Sequence, residues 1–133
     1  MAMTKDRNTR VIGVGCEISE PVAGSTKLYS GGIIQAIAGY SGEAGGDSQP
    51  ILGISQEQVD NSSGNAGDKD IKVKRGCEFG PLKNSGTYPV AQANAGADVY
   101  AEDAETICAT QGSKLAVGKL TKVTSEGVFV YIP

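Results

Sequence analysis

The apolar residues of this chain come in short runs parted by turn formers, and that spacing limits the fold more than any other feature. The longest uninterrupted runs span only a few residues, as in Val128 to Ile132. A helix needs about 20 apolar residues to cross the roughly 30 Å core of a bilayer, so the expectation is a soluble chain. Between the runs stand stretches rich in Gly, Ser, Asn and Asp, and the 19 Gly among 133 residues far exceed the usual share of about 7%. Short strands joined by generous turns satisfy this pattern; long amphipathic helices do not. With two Phe, five Tyr and no Trp the core must be thin. A length of 133 residues suits one domain.

Individual strands follow from periodicity. Ile71, Val73, Cys77 and Phe79 alternate with Lys72, Lys74, Gly76 and Glu78, the period of a half-buried strand, with Arg75 alone out of step. Lys27 to Tyr29, Ile33 to Ile37 (after the Gly31-Gly32 turn) and Ile51 to Ser55 read as further strands. Tyr40 to Pro50 and Asp60 to Asp70 are nearly all turn formers and read as exposed loops. Pro89 ahead of Val90 to Asn94, with Gly96 behind, fits one short helical turn. Asp98 to Ala101 and Glu105 to Cys108 form a hairpin around a solvated acidic tip, Glu102-Asp103-Ala104. Leu115 to Val123 and Val128 to Ile132 form a second, with Thr124 to Gly127 as its turn. In that last strand Val128, Val130 and Ile132 face one way and Phe129 and Tyr131 the other, so both faces are apolar. Such a strand is either central to a sandwich or lies against another subunit. The expected fold is therefore mainly β, a compact small barrel or sandwich with long Gly-rich loops and at most one short helix. Residues 1–10, polar and carrying Lys5, Arg7 and Arg10, read as a flexible N-terminal arm, and 11–133 as a single β domain. That start lacks the apolar stretch of a secretory signal.

The chemistry available is sparse. No His is present, which removes the commonest general base and the partner of Ser-His and Cys-His nucleophiles. Cys16, Cys77 and Cys108 are odd in number and widely spaced, and read as three reduced thiols, not a zinc set. Gly13-Val14-Gly15 begins like a dinucleotide fingerprint, but Ile18 stands where the third Gly belongs. The acids after Asp60 miss the register of a calcium loop, since Ile71 occupies the place of its terminal Glu. Glu102, Asp103 and Glu105 read as solvated turn residues rather than a catalytic pair. No catalytic, cofactor or metal site is expected, and the chain reads as a protein that binds a protein surface.

A net charge of −3 offers no general attraction to nucleic acid or anionic membrane. The arrangement is segmental. Leu28 to Asp68 holds five acids and no base, Lys69 to Lys83 holds five bases against Asp70 and Glu78, and Asn84 to Ser113 turns acidic through Asp98, Glu102, Asp103 and Glu105. Solvated faces account for this, and alternate signs can also pair copies of one chain. A small β-barrel that binds single-stranded nucleic acid is the alternative reading, with Phe79 beside Lys72, Lys74 and Arg75 as its one stacking candidate.

The order of motifs resembles the capsid cement or head-decoration proteins of tailed phages and prophages. The features that carry it are Leu28-Tyr29-Ser30-Gly31-Gly32, Ile51-Leu52-Gly53-Ile54 and the run from Gln58 to Asp68. They continue through Ile71-Lys72-Val73-Lys74-Arg75-Gly76, Asp98-Val99-Tyr100-Ala101-Glu102-Asp103, and Gly118-Lys119-Leu120 to Gly127-Val128-Phe129-Val130. The resemblance spans nearly the whole chain and rests on order and spacing. It implies a compact β domain on the outside of a viral head, made in the host cytoplasm, that bridges major capsid subunits and assembles with itself, on family analogy as a homotrimer. Under that reading Lys5, Arg7 and Arg10 are expected to contact an acidic capsid surface. Phe129 and Tyr131 are expected to make the apolar contact between subunits.

Overall fold

The computed structural model describes residues 3–12, 16–46 and 49–133, with the backbone alone for 10–12 and 16. The described residues form thirteen strands and one short 3-10 turn at Gln92–Asn94, the single helical turn that Pro89 and Gly96 bracket. The fold is mainly β, as the sequence pattern requires, and a closed barrel lies at its centre.

Five strands close that barrel: β9 (Cys77–Asn84), β10 (Asp98–Asp103), β11 (Thr106–Cys108), β12 (Gly118–Thr124) and β13 (Gly127–Ile132). Their order is β9-β11-β10-β12-β13, and β13 pairs back onto β9 to complete the ring. All pairings are antiparallel except β11 with β9, which is parallel through Thr106↔Lys83 and Ile107↔Asn84. Closure leaves no open edge in the ring. β1 (Arg10–Ile12) adds to the first half of β9, with Val11 opposite Phe79. Inside lie Phe79, Leu82, Val99, Ile107, Leu120, Val128, Val130 and Ile132.

A second sheet has the order β2-β8-β6-β4-β5. Its strands are β2 (Cys16–Pro21), β4 (Ile33–Ile37), β5 (Tyr40–Glu43), β6 (Ile51–Ser55) and β8 (Asp70–Arg75). Both faces of this sheet are apolar because neighbours on a strand point oppositely. Ile33 and Ile54 join the barrel's core. Ile34, Ile71 and Val73 join a smaller core with Val22 and Leu28, roofed by the ribbon β3 (Thr26–Leu28) and β7 (Val59–Asn61).

Three expectations change. The strand read through Ile71 to Phe79 is two strands in two sheets, turned at Gly76, whose φ of +84° is open to Gly and strained for other residues. Gly76 sits on the polar side of the alternation, so the corner leaves the period-two pattern intact. The loop read from Tyr40 to Pro50 begins as a strand, since β5 pairs with β4 across the two-residue turn Ala38-Gly39, both at positive φ. Gly42 lies where any Cβ would meet the Ile37 side chain, so these small residues serve pairing and not only turning.

The third concerns the N-terminal arm, which in its described part lies along the body. Met3 is buried, with its sulfur against Gly32, and its N–H donates to Glu43 Oε2 at 3.2 Å. Arg7 N–H donates to Ser30 O at 3.1 Å, and Thr9 Oγ1 donates to Gly31 O at 2.6 Å, before β1 joins the barrel. The segment spans from the second sheet to β9 because each stop supplies a partner.

Candidate functional site

The seam between barrel and second sheet gathers most of the buried charge. Its centre is Ala104-Glu105, the tip between β10 and β11, expected as solvated. Ala104 is fully buried, and its carbonyl accepts the Ile33 N–H at 2.7 Å. Glu105 Oε1 accepts from Arg7 at 2.9 Å and from Lys83 Nζ at 2.6 Å, so its carboxylate is doubly neutralised. Arg7 donates also to Pro81 O at 2.9 Å and, through Nε, to Thr9 Oγ1 at 3.0 Å. Asp103 is buried and accepts the Glu105 N–H at 2.9 Å. Burial pushes the Glu43 carboxyl above its ordinary value, with Asp103 and Glu105 adding to the rise and the Met3 N–H opposing it. The cluster of Arg7, Glu43, Asp103 and Glu105 fastens three chain segments to one another. Glu102, by contrast, is exposed and accepts the Ser85 hydroxyl at 2.6 Å.

The expected contact residues separate accordingly. Arg7 is committed within the chain, which takes it out of the set of free cations. Lys5 is exposed. The Arg10 side chain lies outside the described residues, as do Gly13-Val14-Gly15. Phe129 and Tyr131 do not share a face as expected. Phe129 is 2% exposed, its ring lying where a side chain on Gly80 would stand and Lys122 Nζ lying 4.7 Å from its centroid. Register shifts on both sides of β13 let three consecutive residues, Val128 to Val130, be buried. Tyr131 is 43% exposed, between Lys119 on β12 and Glu78 on β9.

The basic strand loses its aromatic partner. Phe79 is fully buried in the barrel, so it cannot stack on a base, while Lys72 and Lys74 lie on β8 in the other sheet. Lys74 stands opposite Glu17, and Glu57 Oε2 accepts the Lys72 N–H at 3.0 Å, so acids interleave with these bases.

The loop after Asp60 is organised by its own polar groups. Asp60 Oδ1 accepts from the Ser62 hydroxyl at 2.5 Å and N–H at 3.0 Å, which hold its carboxyl below the usual range. Asn61 is buried and donates to Ala23 O and Asn65 O, both at 3.0 Å, tying the loop to the chain after β2. Among the described residues no group of three or more His, Cys, Asp or Glu could hold a metal ion. Cys77 and Cys108 are free and buried, and burial pushes both thiols up, away from the nucleophilic thiolate.

One surface was not anticipated. Asn84 to Ala97 carries no charged side chain, and Ala109 to Val117 carries one, Lys114. The two segments lie side by side at one end of the barrel, since Ala109 N–H donates to Tyr88 O at 3.0 Å and Val117 N–H to Val99 O at 2.8 Å. Tyr88 and Leu115 are 52% and 47% exposed there. The signal in the sequence is the missing charge.

Comparison with protein-family models, with curated proteins and with solved structures finds no match in any of the three.

Proposed function

We propose that this protein is a capsid decoration protein, which binds the outer surface of a tailed-phage head, bridges major capsid subunits and associates with copies of itself, as a homotrimer by analogy. It acts by binding and not by catalysis. The observation that carries the reading is the ordered string of motifs through which the chain resembles that family. Each motif has a place in the architecture. Ile51 to Ile54 lies in β6, Ile71 to Gly76 is β8 with its corner, Asp98 to Asp103 is β10, and Gly118 to Val130 covers the β12–β13 hairpin. The intervening runs from Leu28 to Gly32 and from Gln58 to Asp68 carry the seam and the loop tied down by Asn61.

The fold suits such a role physically. A shell component gains avidity from many repeated contacts, each of modest strength, provided its own body stays rigid. The closed barrel and the strap of residues 3–12 supply that rigidity. Lys5 and Tyr131, both exposed, are the first residues to test as contacts. Purified undecorated heads incubated with the protein should take it up to saturation and resist heating better than untreated heads. A protein that neither binds nor protects such heads ends this reading.

A further inference from the structure

We propose that the uncharged end of the barrel, built from residues 84–97 and 109–117, is where copies of this chain meet, with Tyr88 and Leu115 packed near the symmetry axis. The inference rests on the self-association part of the function proposed above and gives it a location. Residues on the axis of a closed oligomer meet their own equivalents, so any charge there faces a like charge. A face without charge is the kind of surface that such an axis tolerates. The chain as a whole is 20% charged, and its other faces do not qualify. The second sheet presents Glu17 with Lys72 and Lys74. The barrel's side presents Lys119, paired to Asp98 at 2.6 Å, and Lys122.

Size and composition agree. The two segments together approach the roughly 20–30 residues that each partner gives to a standard interface. Interface cores are depleted in charge and enriched in Tyr, and Tyr88 is the most exposed of the large apolar side chains in the described residues. The remainder of the face is small or amide-bearing: Ala91, Ala93, Ala95 and Ala97 are exposed, with Gln92 and Gln111 among them. Such residues let two backbones approach closely. The framework beneath is fixed, because Val90 and Val117 are buried in the barrel core and Gln92 Oε1 accepts the Val123 N–H at 2.8 Å.

Sedimentation of the full chain over a concentration series tests this, with Tyr88→Asp and Leu115→Asp as the variants and Tyr131→Asp as the comparison. Both sites are exposed, so the variants should melt as the wild-type monomer does. The wild type should self-associate, and each variant at the barrel end should weaken that association by roughly 30-fold or more, the effect of losing an interface hot spot. Association that survives both variants but fails in Tyr131→Asp overturns the inference and leaves self-association standing. A wild type that stays monomeric at the highest soluble concentration overturns both, whereas head binding in the same preparations reports separately on the shell reading. Loss of head binding in Tyr88→Asp from a monomeric wild type would assign the face to the shell and also overturn the inference.

Discussion

Two hairpins of the barrel have closely similar tips and opposite fates. β10 and β11 turn through Ala104-Glu105, β12 and β13 through Ser125-Glu126, in each case a small residue followed by Glu. Ala104 and Glu105 are packed into the seam, where a backbone N–H from β4, an arginine from the N-terminal segment and a lysine from β9 meet them. Ser125 and Glu126 are exposed, and the Glu126 N–H is satisfied locally by Thr124 Oγ1 at 3.2 Å. The difference teaches that an acidic turn is buried when distant segments bring cations and donors to it. Local sequence carries no record of those partners.

The sharpest way to break the contrast is to place a charge at the first position of the buried tip. Ala104→Asp puts a carboxylate into a fully buried site beside Asp103 and Glu105. The expected cost is about 3–5 kcal/mol, the range for an uncompensated buried charge, read as a lower urea midpoint. A loss under about 1 kcal/mol would mean that the seam opens readily. Removing one partner is the next step down. Arg7→Met leaves Glu105 with Lys83 alone and Pro81 O without its donor, and should cost about 1–3 kcal/mol. The same variant should raise protease cleavage within residues 3–12, because the strap loses its central fastening.

Much of the fold was legible for reasons that the contrast explains. The hairpins, the helical turn after Pro89 and the alternation in β8 depend on neighbours in sequence, and all appear where the pattern places them. Long-range features were not legible. Phe129 is buried because Gly80, on another strand, leaves room for its ring. Arg7 resembles a free cation until Glu105 is seen beside it. Gly76 is indistinguishable from a polar-face residue until its φ turns the chain between sheets. The uncharged end of the barrel was masked by averaging, since a window from Asn84 to Ser113 mixes a neutral stretch with Asp98, Glu102, Asp103 and Glu105.

A third variant separates burial from pairing within the seam. Glu43 is half-buried and its carboxyl titrates above 4.5, mainly through desolvation. The folded state therefore holds a proton that the unfolded state has released, and Glu43 costs stability at neutral pH. That cost is relieved as pH falls through the raised value and is gone below the ordinary one. Glu43→Gln keeps an acceptor for the Met3 N–H while removing the charge. It should stabilise the protein at pH 7 by well under 1 kcal/mol, given partial exposure, with the gain vanishing toward pH 4. Thermal melts of both proteins across that range would show it. A gain that grew toward acid would reverse the assignment and make pairing the dominant influence on Glu43.

The smallest effect belongs to the exposed tip. Ser125→Lys reverses no ion pair and fills no cavity, since Ser125 is exposed and the turn's backbone requirement falls on Gly127, whose φ is +143°. A surface change of this kind should stay within about 0.5 kcal/mol. The comparison with Ala104→Asp is then direct, because both substitutions add one charge at the first residue of a two-residue tip. If Ser125→Lys cost as much as Arg7→Met, the two tips would not differ in the way their surroundings imply, and partner supply would no longer account for which turn is buried. If it stays neutral, the gap between the two variants measures what the seam's partners demand of the tip that they enclose.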